Sequence, residues 1–158
     1  YKDSVRDAVH RYKFYGCRAY SRRFGAMMAE CVENNLDCGG IDVISWIPLS
    51  RKRLRKRGYD QAQLLAQEIS AAVGVPCAPL LRKVRDNKAQ SKTRDARQRA
   101  ANVAGVYALL PGADVSGRYI LLIDDVVTTG STLSEAARVL KKSGARSVMA
   151  ATLARSGD

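Results

Sequence analysis

Fourteen consecutive residues, Tyr119-Ile-Leu-Leu-Ile-Asp-Asp-Val-Val-Thr-Thr-Gly-Ser-Thr132, constrain the fold more than any other part of this 158-residue chain. From Tyr119 to Ile123 five strand-forming apolar residues run without a break, which suits a strand buried on both faces of a parallel sheet. The run gives way to Asp124 and Asp125, then to a hydroxyl-rich turn around Gly130. Beyond the turn, Leu133, Ala136, Ala137 and Leu140 recur at helical spacing. Thr132 and Glu135 stand at capping-box positions, and Lys141, Lys142 and Gly144 supply a basic last turn and a terminal glycine. The sequence predicts strand, acidic pair, hydroxyl turn, helix.

That unit has a chemical meaning. Backbone N–H groups at a helix N-terminus, with the hydroxyls of Thr128, Thr129, Ser131 and Thr132, make a socket for a phosphate dianion. Gly130 allows positive φ and a close backbone approach. Asp124 and Asp125 would repel a phosphate they pointed at, and are better used nearby, accepting hydrogen bonds from sugar hydroxyls. Phosphate at one end and a diol at the other describe a ribose 5-phosphate. A Walker B strand also ends in acidic residues, but its G-x-x-x-x-G-K-[ST] partner does not occur in this sequence.

The length suits one domain with a sizeable core, and we take residues 1–158 as a single unit. No window has the length and apolarity of a membrane span or a signal peptide. Cys17, Cys31, Cys38 and Cys77 are scattered without a C-x-x-C pair, so neither structural zinc nor a disulfide framework is expected. Reduced thiols in the cytoplasm are the expectation. His10, the only histidine, receives no role.

Net charge is +12, which favours polyanionic ligands. Its distribution says more than its size. Six basic residues fall between Arg51 and Arg57, and eight more lie between Arg82 and Arg99, together fourteen of the 27. Such runs are usually solvated faces. Both, however, follow predicted strands, where α/β sheets present their ligand loops.

Val5, Ala8, Val9 and Tyr12 predict a first amphipathic helix, and Phe24, Met27, Met28 and Cys31 a second that ends near Asn34 and Asn35. Val43 to Ile47 reads as a strand stopped by Pro48. Asp60 caps a helix through Ala62, Leu65, Ala66, Ile69, Ala72 and Val73, closed by Gly74 and Pro76. Cys77 to Leu81, Val103 to Leu109 and Ser147 to Leu153 read as further strands. Residues 82–101 are long, polar and basic without an apolar stripe, the character of a functional lid or a disordered loop. The alternation predicts an α/β domain whose phosphate turn lies at the carboxyl end of a central strand.

The segment Tyr119–Thr132 resembles the phosphoribosyl-pyrophosphate (PRPP) signature of the type I phosphoribosyltransferases. Pro48-Leu-Ser-Arg-Lys-Arg53 with Arg57-Gly-Tyr-Asp-Gln-Ala62 narrows the resemblance to the ComF competence-protein family. Gln90-Ser91, Arg99-x-x-Asn102 and Gly105-x-Tyr107 follow in the order of that family. Asp60 departs from its pattern, standing where an asparagine is expected. The family's preceding cysteine-rich zinc segment is missing here, consistent with a piece cut from a longer chain.

The resemblance implies a type I phosphoribosyltransferase-like fold, a mainly parallel central sheet flanked by helices. It further implies PRPP bound by Asp124, Asp125, Val126, Val127, Thr128, Thr129, Gly130, Ser131 and Thr132. The pyrophosphate then falls to Leu49, Ser50, Arg51 and Lys52 by position. Arg82, Lys83 and Lys88 become the catalytic cations of a loop closing over the substrate, and Asp124 and Asp125 the catalytic carboxylates. Magnesium would come with PRPP, Asp124 or Asp125 serving as a protein ligand. The implied reaction displaces pyrophosphate from ribose C1′ by an unidentified acceptor. Tyr12, Phe14, Tyr15 and Trp46 could stack an acceptor base, although core packing suits most of them better. A competing expectation is a non-catalytic PRPP sensor or a DNA-uptake factor whose basic runs track single-stranded DNA. A homodimer is compatible with either; a membrane partner is not expected.

Overall fold

The apolar run that starts at Tyr119 becomes the middle strand of a parallel sheet. The computed structural model describes residue 12, residues 19–85 and residues 103–156. Among these the chain forms α1 (Ala19–Asn35), a 3-10 turn (Cys38–Gly40), β1 (Val43–Trp46), α2 (Arg51–Arg57) and α3 (Gln61–Val73). It continues with β2 (Leu81–Lys83), β3 (Tyr107–Leu109), β4 (Tyr119–Val127), α4 (Ser131–Lys142) and β5 (Ser147–Arg155). The strand order is β1-β4-β5, all parallel.

Both faces of β4 are buried, and for opposite reasons of connectivity. Leu121 and Ile123 face a core built from α1, α3 and Ile44. Ile120 and Leu122 face a second core with Ala136 and Leu140 of α4. Fully burying each such side chain contributes about 1.5–3 kcal/mol, which is why an unbroken apolar run belongs in this position. Helices α1 and α3 cross closely at Gly25, where a Cβ would run into Cβ of Glu68.

The expected strand from Cys77 to Leu81 divides. Ile44 N–H donates to the Pro76 carbonyl at 2.8 Å and Ala78 N–H to the Ile44 carbonyl at 3.0 Å, a single parallel bridge beside β1. Leu81 to Lys83 instead forms β2, antiparallel to β3. The predicted strand from Val103 is real only from Tyr107, because turns occupy Ala104 and Gly105. Segments on opposite sides of β1 thus connect over opposite faces of the sheet. The crevice between the carboxyl ends of β1 and β4 is the topological switch point, where sheets of this kind bind ligands.

Strand lengths deepen that crevice. Pairing of β1 with β4 ends at Trp46 opposite Ile123, with Ile47 N–H donating to the Ile123 carbonyl at 2.9 Å. Pro48 follows, and cannot extend the ladder. Instead of stopping at Ile123, β4 runs on through Asp124 to Val127, held by β5 from Thr152 to Arg155. The acidic pair therefore projects from ordered strand.

Two further expectations are corrected. In α1, Phe24 and Met28 are buried, but Met27 is 56% exposed and Cys31 is exposed, their places in the core taken by Ala29 and Val32. The capping box at Thr132 and Glu135 does not form: Gly130 is the N-cap of α4 and no side chain caps it. Glu135 is engaged elsewhere, accepting Gly105 N–H at 2.7 Å and both arms of the Arg138 guanidinium. The remaining cysteines Cys31, Cys38 and Cys77 are free thiols, and burial pushes that of Cys77 up to about 11. Among the described residues no helix is long and apolar enough to cross a membrane.

Candidate active site

A cleft of about 180 Å³ opens at the switch point. Asp124, Asp125 and Val126 line it from β4, Thr132 from the start of α4, and Ile47, Pro48 and Leu49 from the end of β1. Each carboxylate accepts a neighbouring backbone donor: Asp125 N–H to Asp124 Oδ1 at 2.9 Å, and Val126 N–H to Asp125 Oδ1 at 2.7 Å. Oxygens of both carboxyls are thereby oriented by the chain itself.

Past the strand, Gly130 adopts φ 77°, and Ser134 N–H closes the first turn of α4 on its carbonyl. Apart from its chain neighbours, a Cβ there would meet nothing within 4 Å among the described residues. The glycine therefore serves the backbone angle and leaves the approach to the helix N-terminus open. Thr129 and Ser131 hydroxyls lie 2.9 Å apart, folding the turn over that terminus. Thr128 and Thr129 are exposed at its rim, beside a half-buried Val127.

The basic run after β1 is a helix, where a loop was expected. Ser50 accepts Arg53 N–H at 3.4 Å, and Gly58 ends the helix with φ 79°. The helix divides its charges. Arg53 and Arg57 line the cleft with Asp124 and Asp125, whereas Ser50, Arg51 and Lys52 line a separate neighbouring cleft with Arg55 and Lys56. Of the four residues assigned to pyrophosphate by position, only Leu49 borders the acidic pair. Arg53 and Arg57 were missed, although their i,i+4 spacing on a helix would have placed them on one face.

Lys83 borders both clefts, and its Nζ lies 5.7 Å from the centre of the Tyr107 ring. Arg82 alternates to the other side of β2 and is exposed. Lys88 lies outside the described residues, as does most of the 82–101 segment. Burial pushes the Tyr107 phenol above its ordinary range, and the Asp124 carboxylate pushes it the same way while Arg53 opposes both. From sequence Tyr107 entered only through the Gly105-x-Tyr107 match and was given no role in the site.

Asp60 ties the two sides of the cleft together. Its Oδ2 accepts Leu49 N–H at 2.9 Å, and its Oδ1 accepts Ala62 N–H at 3.1 Å and Gln63 N–H at 3.4 Å, capping α3. Both oxygens act as acceptors, a demand an asparagine amide meets on one side only. Burial raises its pKa from the ordinary value, against the lowering effect of those three donors. Tyr12, offered as an acceptor platform, is fully buried and donates to the Gln61 carbonyl at 2.9 Å. Trp46 packs against the same core.

The phosphoribosyl transferase domain family matches residues 55–158. Competence protein F of Haemophilus influenzae is 33% identical over 111 residues, 69% of this chain and 48% of that protein. DNA utilization protein YhgH of Escherichia coli is 36% identical over 123 residues, 72% of this chain and 49% of that protein. The chain belongs to the ComF competence-protein family.

Competence protein ComFC of Streptococcus pneumoniae extends the match to 98% of this ComF chain and 65% of its own length, at 28% identity. The chain spans about half the length of the first two relatives. Solved structures establish the fold. Glutamine PRPP amidotransferase from B. subtilis superposes with a TM-score of 0.58 at 20% identity, covering 86% of this chain and 26% of that one. An adenine phosphoribosyltransferase gives 0.52 at 14% identity, covering 92% and 73%. The type I phosphoribosyltransferase-like architecture is thus shown.

Proposed function

We propose that this ComF domain binds PRPP and transfers its phosphoribosyl group to an acceptor, releasing pyrophosphate. The observation that carries the reading is one cleft holding Asp124, Asp125 and Thr132 opposite Arg53, Arg57 and Lys83. A ligand with a sugar diol, a monophosphate and a diphosphate matches that division. The 5-phosphate sits on the turn Thr128–Thr132, where the α4 N-terminus and hydroxyls supply donors. Asp124 and Asp125 take the ribose hydroxyls.

In the reaction the C1′–O bond to pyrophosphate breaks and the bonding pair leaves with the pyrophosphate. The acceptor's lone pair closes on C1′, and the acceptor's proton passes to solvent or to the departing pyrophosphate. The protein need supply no nucleophile; it positions the sugar and meets the developing charge with fixed cations. Hard carboxylate oxygens at the strand end suit Mg²⁺, which prefers one or two carboxylates plus substrate phosphates. Among the described residues no three metal-ligating side chains converge, so the ion would come largely on PRPP's own oxygens with Asp124 or Asp125 beside it. Bound there it would neutralise charge on the leaving group.

Pyrophosphate release from PRPP across a panel of nitrogen acceptors tests the proposal. Release that depends on one acceptor class upholds it. Binding of PRPP with no release for any acceptor would leave a PRPP sensor in its place.

A further inference from the structure

The stretch Arg57-Gly-Tyr-Asp-Gln61 turns the corner from α2 into α3, and it places a buried amide there. Gln61 is 2% exposed. Arg57 Nη1 donates to Gln61 Oε1 at 3.1 Å, and both residues line the cleft with Asp124 and Asp125. A guanidinium only donates, so the amide must present its oxygen to it.

Helix α2 cannot aim Arg57 by packing. None of its residues is buried. Among the described residues, no hydrogen bond or ion pair holds the side chain of any of its other cations. Helix α3 is anchored instead, through buried Ala62, Leu65, Ala66 and Ile69. The backbone of Gln61, its first residue, is tied to the core as well. Tyr12 donates its hydroxyl to the Gln61 carbonyl and Tyr59 donates its own to the Tyr12 carbonyl, each at 2.9 Å. An amide fixed to the core thus reaches back across the corner and sets the direction of a cation on an unanchored helix. A solvated charge run needs no such hold.

Arg138 shows the contrasting case. Its guanidinium donates twice to the Glu135 carboxylate, an ion pair that cancels its charge. The acceptor at Arg57 is neutral, so it sets geometry and leaves the positive charge for an anion. A long side chain ordered beforehand also loses less rotamer freedom when the ligand arrives. We propose that Gln61 is a positioning residue, holding the Arg57 guanidinium toward the diphosphate of the bound substrate without neutralising it. The role rests on the PRPP reading of this cleft.

Two measurements on the full chain test this: calorimetric titration of PRPP and of ribose 5-phosphate, and NMR relaxation of the Arg57 Nε–H group. Gln61→Met keeps a side chain of similar length and removes the acceptor. It should free the Arg57 side chain and weaken PRPP about tenfold. Ribose 5-phosphate, which lacks the diphosphate, should bind unchanged. In an Arg57→Ala background the same substitution should cost nothing further. Gln61→Glu should keep Arg57 ordered yet weaken PRPP, because a carboxylate cancels the charge. Arg57 equally ordered in Gln61→Met, an equal loss of both ligands, or a loss that persists in the Arg57→Ala background would overturn the proposal. So would Gln61→Glu binding PRPP as tightly as the parent. A parent protein that ignores PRPP, but whose Arg57 loses its order in Gln61→Met, would overturn the PRPP reading and uphold the positioning of Arg57.

Discussion

The two clefts share a wall and differ in what they can recognise. The smaller, at the ends of β1 and β4, mixes three carboxylates with three cations: Asp60, Asp124 and Asp125 against Arg53, Arg57 and Lys83. The larger carries six cations and, among the described residues, no acid. Helix α2 serves both, its 53 and 57 positions turned one way and its 51, 52, 55 and 56 positions the other. Net charge alone would have picked the larger cleft as the functional one. Chemistry favours the smaller, because a sugar with phosphates at both ends needs acceptors as well as donors.

Breaking the phosphate turn should separate the clefts most sharply. Gly130→Val forces a β-branched residue to φ 77°, and places a side chain where the phosphate approaches. Two or more backbone donors would be lost to the ligand, each worth about 1.5–3 kcal/mol. PRPP affinity by calorimetry should fall by at least that of one donor.

A smaller effect is expected at the tie between the cleft's two sides. Asp60→Asn turns an amide N–H₂ toward either Leu49 N–H or the α3 terminus, leaving one donor opposed. Chemical denaturation should show a loss of about 1–3 kcal/mol, while unchanged stability would mean the two-sided acceptor role is misassigned.

Smaller again is the acid response of α4. The Arg138 guanidinium holds the Glu135 carboxyl below its usual range, with Gly105 N–H assisting. A folded pKa below the unfolded one contributes stability that is present above the unfolded value and lost as pH falls through the folded one. Glu135→Gln should therefore flatten the stability–pH curve below about pH 4.5 and leave it parallel to the parent near neutrality. Parallel curves throughout would contradict this.

Much of this was legible because the local rules and the tertiary demands agree. The apolar run read as a doubly buried strand, and from Ile120 to Ile123 it is one, with Tyr119 exposed at its start; Asp60 with Gly74 bounded α3 at both ends. What escaped had a tertiary cause. Asp124 to Val127 look like a turn by composition, yet β5 supplies a partner that keeps them extended. Thr132 and Glu135 have capping-box spacing, but Glu135 found Gly105 and Arg138, contacts thirty residues and three residues away. The basic run 51–57 has no apolar stripe, so periodicity gave no helix; Ser50 and Gly58 were the only local signals. Arg53 and Arg57 became site residues only once that helix existed.

The central claim is that Asp124 and Asp125 recognise the ribose of PRPP. Calorimetric titration of PRPP with Mg²⁺ into folded Asp124→Asn and Asp125→Asn proteins tests it most directly. Each substitution keeps size and removes a charged acceptor, so each should cost about 1.5–3 kcal/mol of PRPP binding. Ribose 5-phosphate should weaken in parallel while inorganic phosphate still binds the turn. Unchanged PRPP affinity in both variants would contradict the account.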